Sequence, residues 1–102
     1  NKSRLNYPIR AVFQKTEETG IRIMVSVSKR FFKRAVKRNR IKRQLREAYR
    51  LNKHLLRPAN GGVNIAFLWN SNDLLPTAKV MEKMQILLNK VNESVSDTSS
   101  AD

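Results

Sequence analysis

The sequence predicts an α+β fold, a small two-layer α/β sandwich in which a short sheet packs against helices. Three observations predict it. Ile21–Ser28 (IRIMVSVS) sets Ile21, Ile23, Val25 and Val27 in unbroken alternation against Arg22, Met24, Ser26 and Ser28, as a half-buried strand does. Val63–Trp69 (VNIAFLW) is a second short β-rich run, bounded by a glycine pair and a polar loop. Between these runs, and again after Thr77, apolar residues recur at helical spacing. The predicted order is strand, strand, basic helix, strand, helix. At 102 residues the chain is one domain with a modest core. Residues 1–93 are read as that domain and 94–102 (SVSDTSSAD) as a disordered tail.

Taken in order, Asn1–Asn6 has neither a start methionine nor a cap signal and reads as a trimmed lead-in. Tyr7–Phe13 (YPIRAVF) reads as the first strand, with Tyr7, Ile9, Ala11 and Phe13 on one face; Pro8 favours a strand start or an edge. Gln14–Gly20 is a polar, glycine-ended connection of hairpin type to the second strand, Ile21–Ser28. Phe31 and Phe32, side by side, suggest a loop or first turn, and the helix is expected from about Ala35. At 100° per residue, Ile41, Leu45, Ala48, Tyr49, Leu55 and Leu56 fall within an arc of roughly 120°, the width of a core-facing stripe. Asn39, Lys42, Arg43, Arg46, Arg50, Lys53 and Arg57 fill an arc of about 100° on the other side. Pro58–Gly62 (PANGG) ends this helix, with Gly61 and Gly62 supplying a flexible turn. Val63–Trp69, apolar on both faces, reads as a central strand covered on both sides. Asn70–Pro76 is a loop, and Thr77 is the expected N-cap of a last helix carrying Val80, Met81, Met84, Leu87, Leu88 and Val91.

Charge is concentrated in one place. Ser28–Arg57 holds thirteen Lys and Arg against the single acid Glu47, leaving eight basic and seven acidic residues for the rest of the chain. A near-neutral domain carrying one cationic helix is the electrostatic footprint of a polyanion binder. A run of Lys and Arg is often only a solvated face, but a helix selected for solubility intersperses acids, and unbalanced charge repels itself. Arg outnumbers Lys from Arg38 onward, which suits planar contacts to phosphate. Nucleic acid is therefore the expected partner.

Other chemistries find little support. Without cysteine there is no disulfide framework or thiolate metal site, and a reducing cytoplasm is the natural compartment. The lone His54 sits at a helix end, where it interacts with last-turn carbonyls. Glu17 and Glu18 form a charged turn, Asp73 and Glu82 stand isolated, and no phosphate-loop or nucleophile motif is present, so no catalytic or metal residue is assigned. No apolar run reaches the roughly 20 residues a membrane span needs, and neither a membrane nor a protein partner is implied. Phe67 and Trp69 are core by their alternation. Tyr7 and Phe13 are core by spacing as well, with base stacking on an open sheet face as the alternative.

The segments Val25-Ser26-Val27-Ser28-Lys29-Arg30, Arg34-Ala35-Val36, Arg38-Asn39-Arg40-Ile41-Lys42-Arg43 and Arg46-Glu47 together closely resemble the bacterial ribonuclease P protein component. Strand and helix order is similar over about residues 7–92. The resemblance implies a left-handed βαβ crossover, an exception to the usual hand. It implies that Lys29, Arg30, Arg34, Arg38, Asn39, Arg40, Lys42, Arg43 and Arg46 bind the catalytic RNA subunit. A cleft on the sheet, including Ala11 and Phe13, would bind the 5′ leader of precursor tRNA. It implies endonucleolytic 5′ maturation of tRNA by the RNA subunit, with Mg²⁺ entering through the RNA and no cofactor bound by the protein. The chain departs from the family in beginning after the position of the family's N-terminal helix, and in carrying Phe31-Phe32-Lys33 where many members have Gly-Asn. The other readings are a ribosomal or assembly-type RNA-binding protein without a catalytic partner, and a nonspecific DNA-binding helix.

Overall fold

The computed structural model describes residues 2–58 and 61–95. Its elements are β1 (Lys2–Asn6), β2 (Ile9–Thr16), β3 (Gly20–Val27), α1 (Ala35–Asn52) with a following 3-10 turn at Lys53–Leu55, β4 (Gly62–Trp69) and α2 (Thr77–Val95). The four strands form one sheet in the order β1-β2-β4-β3. β4 pairs antiparallel with β2 and parallel with β3, so α1 is the crossover of a parallel βαβ unit.

Strand alternation decides which face is covered. Ile9, Ala11 and Phe13 of β2, Val25 and Val27 of β3, and Val63, Ile65, Phe67 and Trp69 of β4 are all buried, and they form one cluster with the buried faces of both helices. Ile41, Leu45 and Ala48 come from α1, and Val80, Met84, Leu87, Leu88, Val91 and Val95 from α2. Each fully buried large apolar side chain stabilises the fold by about 1.5–3 kcal/mol. On the other face, Ala66 and Leu68 are only half-buried and Met24 is 62 % exposed. β4 is central as expected, but it is covered by helices on one side only.

Several expectations are corrected. Lys2–Asn6 is a strand, paired antiparallel with β2 from Lys2↔Phe13 to Asn6↔Ile9. Its residues lack an apolar alternation because both its faces are largely exposed. The next strand starts at Ile9 instead of Tyr7, because Tyr7 and Pro8 form the turn between β1 and β2. Tyr7 is consequently 60 % exposed instead of core. Thr77 does not cap α2: the Pro76 carbonyl accepts the amides of Lys79 and Val80, at 3.0 and 3.1 Å, while the Thr77 hydroxyl accepts from Gln44 Nε2. Ser94 and Val95, assigned to the tail, continue α2, where Val95 is buried in the core; the rest of the predicted tail lies outside the described residues.

The connection from β2 to β3, expected to be of hairpin type, instead spans β4, which pairs with both strands, and it meets the start of β4 with no space for a side chain. Gly61 adopts a φ of +70°, and a Cβ there would lie 2.1 Å from the Thr16 carbonyl oxygen; one on Gly62 would lie 1.9 Å from that of Gly20. The glycine pair read as a flexible turn is thus a close-approach site that lets β4 slot between β2 and β3.

Candidate nucleic-acid interface

Helix α1 is built so that its charge must face outward. Ile41, Leu45 and Ala48 seat it on the sheet, and the polar positions of that stripe are bonded to α2 and its lead-in. Gln44 Nε2 donates to the Leu75 carbonyl at 3.1 Å and to the Thr77 hydroxyl at 3.2 Å. Asn52 Nδ2 donates to the Ala48 carbonyl at 2.9 Å, and Asn52 Oδ1 accepts from Gln85 at 3.1 Å. These bonds fix the rotation of α1 about its axis.

The opposite face carries a groove of about 380 Å³ lined by Asn39, Lys42, Arg43, Arg46, Glu47 and Arg50. Residues three and four apart on a helix are neighbours, which is why this spacing forms a continuous row. Helical spacing lets Glu47 pair with Arg43 or Arg50, and it pairs with Arg50, Arg50 Nε donating to Glu47 Oε1 at 3.1 Å with a second bond between Nη2 and Oε2. The Arg50 guanidinium holds the Glu47 carboxyl below the usual carboxylate range, and the same bond raises Arg50. The sole acid of the row is therefore ionised and neutralised by Arg50, leaving Lys42, Arg43 and Arg46 uncompensated.

The start of α1 adds a second electrostatic feature. Its first turn contains no acid, and its N-cap, Arg34, makes no side-chain capping bond. Lys33, Arg34 and Lys37 crowd the positive end of the helix dipole, where each cation is unfavourable by about 0.3–1 kcal/mol. A bound polyanion relieves that repulsion.

The predicted residues thus fall into distinct sets. Asn39, Lys42, Arg43 and Arg46 are brought together in the groove, with Arg50 joining them. Arg40 is exposed on α1 outside the groove. Lys29, Arg30 and Arg34 are exposed on the β3–α1 loop, where the Arg30 guanidinium lies 5.5 Å from the Phe31 ring centroid. Arg38 is turned onto that loop, donating through Nη1 to the carbonyls of Phe32 and Lys33, both at 2.8 Å.

Ala11 and Phe13, expected in an open cleft, are in the core at 0 % and 3 % exposure. Both share the buried side of β2 with Ile9, as the spacing of the strand predicts, and Phe13 also borders the depression on the open face of the sheet. The open face of the sheet carries a shallow depression of about 460 Å³ lined by Val12, Gln14, Arg22, Met24, Asn64 and Ala66 and bordered by Phe13, Ile23 and Ile65. Sequence reasoning passed over Arg22 and Met24 because the outward positions of a strand read as solvent-facing; the signal was their shared parity opposite Ile21, Ile23 and Val25.

Among the described residues no helix is long and apolar enough to cross a membrane, and no three His, Asp or Glu side chains come together as a metal cage. A family model described as Ribonuclease P matches residues 2–92. The Ribonuclease P protein component of Porphyromonas gingivalis is 42 % identical over 96 residues, covering 87 % of this chain and 70 % of that protein. In three dimensions the chain is similar to the RNase P protein from Thermotoga maritima, with a TM-score of 0.75 and 26 % identity over 87 % of this chain and 82 % of that one. The Staphylococcus aureus RNase P protein shares the fold, with a TM-score of 0.73 at 24 % identity over 88 % of this chain and 80 % of that one. With the sheet order, the exposed basic row of α1 and a sequence match across nearly the whole described chain in agreement, this chain belongs to the ribonuclease P protein component family.

Proposed function

We propose that this chain binds the catalytic RNA subunit of ribonuclease P through α1 and the loop before it, and promotes removal of the 5′ leader from precursor tRNA. The observation that carries this is the groove of Asn39, Lys42, Arg43, Arg46 and Arg50, whose single acid is neutralised from within. Lys42, Arg43 and Arg46 neutralise phosphates, which lowers the repulsion that the RNA fold and its substrate otherwise carry. Arginine's planar donors suit phosphate oxygens. The leader of precursor tRNA is the second ligand, and it raises affinity for substrate over mature product.

The cleavage chemistry belongs to the RNA subunit, with Mg²⁺ held by RNA phosphates, and the holoenzyme works in the cytoplasm. Family membership favours this reading over a ribosomal or assembly-type RNA-binding protein. The test is cleavage of precursor tRNA by the catalytic RNA at low Mg²⁺, with and without the purified protein. The expected result is faster leader removal and tighter precursor binding; unchanged cleavage over a range of protein concentrations would overturn the proposal.

A further inference from the structure

The loop from Ser28 to Arg34 joins β3 to α1 and carries Lys29, Arg30, Lys33 and Arg34 without an acid. A loop so charged would spread under its own repulsion, yet here it is closed at both ends. At its start the Ser28 carbonyl accepts the amides of Phe31 and Phe32, at 3.1 and 3.3 Å, and Ser28 Oγ accepts the Arg30 amide at 3.0 Å. In its middle, Phe32 is anchored in the core at 6 % exposure. At its end, Arg38 reaches back from the first turn of α1, and its Nη1 donates to two successive loop carbonyls, Phe32 and Lys33. An Nη1 amino group has two hydrogens, so it can supply both carbonyls, which otherwise lie just before the helix begins. A lysine ammonium carries the same charge and enough hydrogens, but on a side chain one bond shorter, which does not reach back to both carbonyls.

From this geometry we infer that Arg38 is a positioning residue: it holds the Ser28–Arg34 loop in the shape in which the loop's cations meet RNA, and its charge is not itself a main phosphate contact. This rests on the reading of α1 as an RNA-binding helix. Fixing the loop before binding removes the ordering cost that a mobile cationic loop incurs on contact. Arg38 thereby differs from Arg43 and Arg46, whose side chains line the open groove.

The test measures binding of the full chain to the catalytic RNA subunit of ribonuclease P across a salt series. The Arg38→Lys variant keeps the charge and loses the reach to the Phe32 and Lys33 carbonyls. Its dissociation constant is expected to rise about tenfold through lost preorganisation, and the slope of log K against log salt is expected to fall although the charge is unchanged, because Lys29 and Lys33 no longer hold their phosphates. The Arg43→Ala/Arg46→Ala variant is expected to lower that slope by roughly 1.4–1.8, the sum for two phosphate contacts. Ser28→Ala, which loosens the other end of the loop without altering charge, is expected to weaken binding in the same direction. Lys29→Ala and Lys33→Ala are expected to cost several-fold in the wild-type background and much less in the Arg38→Lys background, a non-additivity that a stability defect alone does not produce. If Arg43→Ala/Arg46→Ala binds as the wild type does, the RNA-binding reading of α1 fails and this inference falls with it. If that variant weakens binding while Arg38→Lys matches the wild type, or if the loop and Arg38 substitutions are additive, the positioning role alone is overturned.

Discussion

Phe13→Ala separates a core residue from a cleft residue most sharply. The ring is 3 % exposed and shares the helix-facing side of β2 with Ile9 and Ala11. Removing a buried Phe side chain costs about 3–5 kcal/mol through lost transfer energy and the cavity left behind. One flank of the ring borders a recess of about 180 Å³ lined in part by Lys2, Gln14, Lys15 and Ser94, into which side chains and water can relax. That places the cost in the lower half of the range, about 3–4 kcal/mol. The Arg4 guanidinium, 6.0 Å from the ring centroid, adds a loss of about 0.5–1 kcal/mol. For a domain of this size each kcal/mol shifts the melting temperature by about 4–8 °C, so a fall of at least about 12 °C is expected by circular dichroism. Met24→Ala, on the open face, should stay within about 0.5 kcal/mol of the wild type. A Phe13→Ala protein that melts like the wild type but discriminates poorly between precursor and mature tRNA would refute the core assignment.

Gly62→Ala should prevent β4 from seating between β2 and β3, because its Cβ would meet backbone oxygens of Gly20 and Glu18 at 1.9 and 2.5 Å. Loss of the cooperative thermal transition is expected, and an unchanged melting temperature would contradict the packing described. Glu47→Gln releases Arg50 into the groove, so RNA should bind more tightly at low salt and the salt slope should steepen by about 0.7–0.9; weaker binding would assign the pair a positioning role instead. Because the Glu47 carboxyl is held below its ordinary value of 4.5, its contribution to folding is present above that pH and is lost as pH falls through the lowered value. Glu47→Gln should flatten this part of the acid stability profile, and identical profiles would show that the pair is inert. Adding salt to the free protein should raise its melting temperature by screening the repulsion among Lys33, Arg34 and Lys37; a monotonic fall would contradict the self-repulsion.

Much of the architecture is legible because β3, β4 and both helices each bury one face, and burial imposes a period on the sequence. Helix α1 starts at Ala35, as the apolar spacing predicts, and α2 at Thr77, the residue expected to cap it. Strand β1 is illegible for the converse reason. Lys2–Asn6 buries almost nothing and is held instead by pairing with β2 and by contacts to α2: Arg4 Nη2 to Ser94 Oγ at 2.6 Å, Asn6 Nδ2 to the Lys83 carbonyl at 3.0 Å, and Lys90 Nζ to the Leu5 carbonyl at 3.0 Å. These are long-range partners that no local pattern encodes. Gln44 and Asn52 likewise break the apolar stripe of α1, and only their bonds to α2 and its lead-in explain why they lie inside. In the interface, helical spacing finds the groove residues but not Arg38, since a side chain reaching back across the first turn leaves no periodic trace. At Phe13 alternation points to the core and the family resemblance to a cleft, and the structure buries the ring at the edge of the open-face depression.

The central claim, that the exposed row of α1 is a phosphate-binding surface for RNA, is tested most directly by the salt dependence of binding to the catalytic RNA subunit. The wild-type chain is compared with Arg43→Ala/Arg46→Ala over a range of monovalent salt, with circular dichroism establishing that both are folded. Each phosphate neutralised contributes about 0.7–0.9 to the slope of log K against log salt. The structure places both guanidinium groups in the open groove, free of Glu47, and so predicts a slope lower by roughly 1.4–1.8 in the variant. Equal slopes and equal affinities would mean that the row is a solvated face and that the RNA, if bound at all, is bound elsewhere on the chain.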